Sequence, residues 1–369
     1  MVEAVIEDPG VKHALYARLD ALRRPGTLVS CNSSGIPARD LVACHSEAFA
    51  RDFTITHFFN PPRTMELLEV VAGEATDAAV HARVIAVGDR QLGKVVLDCR
   101  DTPGFLANRL GSHWMAVAAL EAFRAGLDVE TVDAVMSRPF GIPRTGVFGL
   151  FDLVGINLLP LLWLVLTSAL PASDACHRYD LGSHPIFAHL LAHGLTGRFG
   201  PGGFYRRHNP DGEAVDEVLD LETLEYRPRN EPDDPATATK DVPSLLDTDS
   251  PGGRYAWTVF AQMLDYACAI AAEVADDVEP IEDAMRLGYA WAKGPSVWRT
   301  TWAPPGSRSA TPLRAARYPS SWPAQVKGWR PWTKLTCSRL SGRAWSRSRA
   351  VCSATTPRPK TSCSRHGCD

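Results

Sequence analysis

An α/β unit followed by an all-α part is the fold class this sequence predicts, and three observations carry it. Short apolar runs alternate with helix-like stretches from Met1 to about residue 100. From Pro103 the apolar spacing turns helical and stays so. Finally, Val132-Asp133-Ala134-Val135-Met136 recurs as Ile281-Glu282-Asp283-Ala284-Met285, 149 positions on and again after a long apolar stretch. The 369 residues suffice for two or three domains.

Met1 to Glu7 reads as a strand that begins at the first residue, without the basic start and apolar run of a signal peptide. Asp8 and Pro9 suit the cap and first turn of a helix reaching about Leu22, with Leu15 and Leu19 on one face and Leu22 continuing it. Pro25-Gly26 turns the chain into a strand from Thr27 to Cys31. Leu67-Leu68-Glu69-Val70-Val71 is a short buried strand. Asn108 to Ala125 is a helix stopped by Gly126, and Glu130 to Met136 is another, broken by Phe140-Gly141-Ile142-Pro143. Leu153 to Leu170 carries no charge, but it is short for a membrane span and Asn157 and Pro160 interrupt it, so it reads as a buried helix pair. Thr196 to Tyr205, rich in Gly, reads as a tight turn plus a packed aromatic. Residues 207–250, rich in Asp, Glu, Pro and Asn, read as a linker.

The stretch from His57 to Arg109 concentrates the chemistry. His57-Phe58-Phe59-Asn60-Pro61 is followed twelve residues after the histidine by Glu69, and Asp101-Thr102-Pro103-Gly104-Phe105-Leu106-Ala107-Asn108-Arg109 closes it. A carboxylate inside an apolar strand is costly unless paired, and a histidine is its natural partner. Such a pair is either structural or a base whose tautomer the acid sets. Asn32-Ser33-Ser34 places small hydroxyl and amide groups where they can face a ligand, and Asn108 follows a Pro-Gly turn at a helix head.

In order and spacing, Asn32-Ser33-Ser34, the His57 block, Leu68-Glu69-Val70 and the Asp101–Arg109 block resemble the L-3-hydroxyacyl-CoA dehydrogenases of fatty-acid β-oxidation, over about residues 1–295. The resemblance implies NAD-dependent oxidation of a 3-hydroxyacyl-CoA, with His57 as general base and Glu69 as its orienting carboxylate. It implies Ser34 and Asn108 on the substrate's 3-oxygen, and Glu7, Lys12 and Asn32 on the cofactor side. A homodimer formed through the helical domain is implied as well. Related β-hydroxyacid dehydrogenases use a catalytic Lys, and the His57 block argues against them. In these terms residues 1–100 are the C-terminal half of a Rossmann-type NAD-binding domain, because no G-x-G-x-x-G follows a strand anywhere in the chain. NAD binding is therefore expected to be weak. Residues 101–206 are the helical dehydrogenase domain, and 251–295 begin a second, incomplete copy of it, as in the multifunctional bacterial members of the family, where a hydratase domain may also occur.

Charge is split along the chain. Residues 297–369 hold 14 Lys/Arg and one acid, against 25 Lys/Arg and 41 acids before them, together with six of the ten Trp. The codon freedom of residues 296–309 allows one restored base to turn them into Phe-Arg-Leu-Ala-Asp-Asp-Leu-Gly and onward. That would supply the Asp-Leu-Gly the second copy lacks, so 296–369 is expected to be an out-of-frame, disordered tail. Two other classes stay open: a non-catalytic fragment that dimerises or associates through its helices, and a nucleic-acid binder acting through the basic tail. Cys31, Cys44, Cys99, Cys176 and Cys268 form no metal pattern and are expected to be free thiols of a cytoplasmic protein, Cys31 serving strand packing with nothing beside it to lower its pKa. No metal and no membrane partner are expected.

Overall fold

The computed structural model describes residues 1–208 and 215–295; the expected out-of-frame tail and residues 209–214 lie outside the described residues. The first hundred residues run β1 (Val2–Glu3), α1 (Pro9–Leu22), β2 (Val29–Cys31), α2 (Ala38–Val42), α3 (Glu47–Arg51), β3 (Phe53–Phe58), β4 (Leu67–Val71), α4 (Ala78–Arg90) and β5 (Val95–Cys99). The strands lie in sequence order in one sheet. β1, β2 and β3 are parallel, β4 runs antiparallel to β3, and β5 runs parallel to β4. The sheet is thus mixed, and the reversal between β3 and β4 decides the register at the site: His57 stands directly opposite Glu69. Opposed residues of an antiparallel pair project to the same face with Cβ atoms about 5 Å apart.

Helix α1 starts as its sequence dictates, the Asp8 carboxylate accepting from the Val11 N–H with Pro9 in the first turn. Its inward face differs from the expected leucine face. The buried positions are Lys12 and Tyr16, while Leu15 and Leu19 are only partly buried and Leu22 is 80% exposed. Buried Glu3 explains the reversal, since Lys12 pairs with it at 3.0 Å and the Tyr16 hydroxyl donates to it. Tyr16 also packs against Phe49 and Phe53. Strand pairing in the first segment is confined to Val2–Glu3, short of the expected run to Glu7.

The helical part follows as α5 (Ala107–Ala125), α6 (Val129–Val135), α7 (Phe148–Val154), α8 (Leu159–Ala169) and α9 (Pro185–Ala192). Helix α5 ends where Gly126 takes φ 62°, the left-handed cap that glycine adopts without strain. Helices α7 and α8 are bent 93° to each other at the Gly155–Leu158 break. The pair is less buried than expected: Leu159, Trp163 and Leu166 point inward, but Leu153, Leu158, Leu161 and Leu164 are 41–63% exposed. Among the described residues no single helix is long and apolar enough to cross a membrane, although this bent pair and a second one pass by length and composition.

The expected linker is folded. Tyr205–His208, Val215–Leu219 and Tyr226–Pro228 form an antiparallel meander, β6–β7–β8, and α10 covers Val242–Asp247. Its strands are mostly polar, with Val218 and Leu219 of β7 the buried apolar pair, so the apolar alternation that marks a strand is missing. Charge pairing replaces it: Arg206 bonds Glu217 at 2.6 Å, and Arg227 makes a two-pronged bond to buried Glu130 of α6 at 2.7 and 2.8 Å. The meander is therefore pinned to the helical part.

Helices α11 (Pro251–Val274) and α12 (Glu279–Gly288) follow, α11 starting at the Ser250 cap. Helix α11 lies antiparallel along α5. The Tyr255 hydroxyl donates to the Ala118 carbonyl at 2.9 Å, and His113 stacks on Tyr266 with ring centroids 3.9 Å apart. Between them Arg109, fully buried, meets Asp174 at 2.5 Å, the Tyr266 hydroxyl at 2.5 Å and Glu273 at 3.1 Å.

Burial pushes His113 down to about 3, so the folded chain holds a neutral imidazole that the unfolded chain protonates below about 6.5. The unfolded state then binds more protons, and stability is present above pH 6.5 and lost as pH falls toward 3. We predict that between about pH 7 and pH 5 the chain loses about 2 kcal/mol to this group. His113→Phe should remove that part of the slope in urea unfolding; equal slopes for both proteins would exclude it.

Candidate active site

The site forms where the end of β3, the middle of β4 and the head of α5 converge. His57 is 4% exposed and Glu69 fully buried. His57 Nδ1 lies 2.7 Å from Glu69 Oε2. The other oxygen, Oε1, accepts from the Ala107 and Leu106 N–H groups at 2.8 and 3.2 Å and faces the Cys99 thiol at 3.7 Å. Those N–H groups are otherwise unsatisfied donors at a helix start and carry its positive end, so the carboxylate finds its partners there without a cation. The turn before the helix makes this possible: Gly104 takes φ 71° and buried Phe105 φ 51°. A left-handed bulky residue is strained. Here it swings the two N–H groups onto Glu69.

With Glu69 Oε2 as its acceptor, His57 carries the proton on Nδ1 and the lone pair on Nε2. Among the described residues nothing pairs with Nε2. Phe59 and Phe105 flank the ring, with centroids 4.4 and 5.9 Å away. The ring is thus anchored through Nδ1 with Nε2 facing no partner among the described residues.

Asn108 follows Ala107 directly. Its amide Nδ2 donates to the Ser34 carbonyl at 2.9 Å, and its Oδ1 receives the Tyr289 hydroxyl at 3.4 Å. Ser34 is engaged through its main chain, its N–H donating to Glu7 at 2.8 Å. The Ser33 hydroxyl donates to the same Glu7 oxygen at 2.6 Å. Asn32 Oδ1 accepts from the Phe58 N–H at 3.0 Å and so fastens the end of β2 beside His57.

Lys12, buried beneath this turn, pairs with Glu3 at 3.0 Å and Glu7 at 3.5 Å. Burial works against its charge, but the Glu3 and Glu7 carboxylates outweigh it and the pKa rises. Cys31 therefore does have a cation beside it, with Lys12 Nζ at 3.6 Å, contrary to the reading from sequence. Burial still dominates and pushes the thiol up to about 12, which keeps it protonated and inert.

The expected residues thus form two linked groups, His57–Glu69 and Lys12–Glu7–Ser34–Asn108, joined through consecutive residues of α5. The free N–H groups expected at this helix head, those of Leu106 and Ala107, go to Glu69 rather than to a bound oxygen; sequence reasoning missed Tyr289, which nothing local signals. Among the described residues no group of His, Cys, Asp and Glu could hold a metal ion.

Comparison with known proteins shows what the chain resembles. Residues 1–102 match the family model "3-hydroxyacyl-CoA dehydrogenase, NAD binding domain", and residues 104–207 match "3-hydroxyacyl-CoA dehydrogenase, C-terminal domain". A putative fatty acid oxidation complex trifunctional enzyme of Rickettsia prowazekii is 33% identical over 295 residues, covering 80% of this chain and 40% of the relative. A probable 3-hydroxyacyl-CoA dehydrogenase of Bacillus subtilis is 32% identical, covering 81% of this chain and 38% of the relative. The chain spans about two fifths of the length of these relatives. Among solved structures, FadB2 of M. tuberculosis superposes with TM-score 0.50 at 29% identity over 56% of this chain and 69% of that one. The 3-hydroxybutyryl-CoA dehydrogenase of Escherichia coli K12 shares the fold at TM-score 0.59 and 23% identity, over 81% of this chain and 74% of that one.

Proposed function

Because the chain belongs to the 3-hydroxyacyl-CoA dehydrogenase family, we propose that it carries the proton-handling site for oxidation of a 3-hydroxyacyl-CoA to the 3-oxoacyl-CoA. The observation that supports this most is the His57 Nδ1–Glu69 Oε2 contact of 2.7 Å with Nε2 left open. His57 Nε2 takes the proton of the C3 hydroxyl, while Glu69 stabilises the imidazolium that forms. The Asn108 amide and the Ser34 hydroxyl hold the C3 oxygen, so the departing hydrogen has one direction.

Bound NAD supplies the hydride acceptor. Glu7 would accept from its nicotinamide ribose, since its side chain is 15% exposed with Oε2 3.5 Å from Lys12, and Lys12, fully buried, would hold that carboxylate from beneath. Asn32 would close the same side.

The test is formation of reduced nicotinamide by the purified chain given a 3-hydroxyacyl-CoA and NAD. Turnover that rises linearly with NAD, without saturation, is expected from a chain with no G-x-G-x-x-G. No turnover at any NAD level would end the proposal. Self-association through the helical part belongs to the same reading, supported by the exposed leucines of α7 and α8. Sedimentation as a monomer at assay concentration would remove that part alone.

A further inference from the structure

The segment after α12 lies far along the chain from the site, yet it enters it. Gly288 is seated so closely that a Cβ there would lie 3.0 Å from Leu67, 3.2 Å from Phe59 and 3.3 Å from Ala107. Ala290 takes φ 55°, and buried Trp291 packs edge-on against Trp114 of α5 at 5.1 Å. The Ala292 N–H donates to the Gly141 carbonyl at 2.7 Å. These contacts place the Tyr289 ring over Gly111, where a Cβ would come within 1.9 Å of Cζ. Only glycine leaves that space, and the phenol then reaches Asn108.

We infer that Tyr289 is a positioning residue for the proposed reaction: its hydroxyl donates to Asn108 Oδ1 and locks the amide with an Nδ2–H turned toward the C3 oxygen. The inference rests on the reading of Asn108 given above. The chemistry allows one arrangement. Oδ1 can only accept, and the Ser34 carbonyl can only accept, so Nδ2 must face Ser34 and Oδ1 must face Tyr289. One hydrogen of the amide is then spent on Ser34 and the second is left for a ligand. Burial first, and then the Glu69 charge, raise the phenol's pKa, so it stays a donor at any working pH. The segment that follows α11 and α12 therefore contributes a group to the site rather than only a packing surface.

Tyr289→Phe in the full chain tests this, because it keeps the ring over Gly111 and deletes only the donor. The expected result is about tenfold lower maximal turnover over acyl-CoA at one fixed NAD concentration, the equivalent of about 1.4 kcal/mol, with KM for the acyl-CoA within about twofold and an unchanged unfolding midpoint. In Asn108→Ala the same change should have no further effect, since both act through one amide. An unchanged maximal turnover, or full additivity with Asn108→Ala, overturns the inference. A second readout needs no activity. The Asn108 side-chain amide resonance, identified by its loss in Asn108→Asp, should shift in Tyr289→Phe of the ligand-free chain. If the chain turns over no substrate, the proposed function fails while this shift still decides the contact; no shift overturns the positioning role by itself.

Discussion

Replacing His57 with Gln should lower turnover about a thousandfold while leaving acyl-CoA affinity within about twofold. Gln preserves much of the side chain's length and its hydrogen bond to Glu69, and the Phe59 and Phe105 rings that flank the site are untouched. What it lacks is a nitrogen that can accept a proton, which is the one property the open Nε2 offers. Glu69→Gln should cost less, about a hundredfold. It removes the charge that stabilises the imidazolium, and its neutral amide would place an NH2 toward one of its donors, His57 or the Leu106 and Ala107 N–H groups. Steady-state kinetics beside calorimetric acyl-CoA binding would separate the two effects. A His57→Gln protein that keeps most of its activity would remove the assignment.

The largest stability effect is expected at Arg109. Its guanidinium is fully buried and joins Asp174, Glu273 and Tyr266, linking the head of α5 to the segment after α8 and to α11. Arg109→Ala would strand the 5%-exposed Asp174 carboxylate without its cation. Breaking a buried pair by removing one partner costs about 3–5 kcal/mol. That is a large share of the roughly 5–15 kcal/mol that holds a typical domain folded. Arg109→Lys should recover less than half, because an ammonium cannot serve three partners lying in the plane of a guanidinium. Urea unfolding gives the answer, and a loss below about 1 kcal/mol would show that apolar packing alone fastens α11 to α5.

What could be read in the sequence was what local chemistry decides. Asp8-Pro9 marked the start of α1 and Gly126 the end of α5, because caps are settled within one turn. Leu67 to Val71 was legible as a strand through its unbroken apolar run, and the costly Glu69 inside it asked for the partner that the β3–β4 register provides. The misreadings have a common cause. The inward face of α1 is set by Glu3, nine residues from Lys12 in sequence, and polar contact there overrides the leucines. The meander of β6, β7 and β8 is held by ion pairs, which composition scores as a linker. Tyr289 meets Asn108 across 181 positions, a distance at which no pattern in one sequence can report a contact.

The packing of α11 and α12 onto α5 and β4 has a consequence for how the site responds to dilution. A group delivered by a second subunit is lost when the protein falls below its dissociation constant. Tyr289 is delivered by the same polypeptide, so its encounter with Asn108 is unimolecular and is governed by an effective concentration that dilution cannot change. The specific activity attributable to that contact should be the same at nanomolar as at micromolar protein. Mass action has no purchase on it.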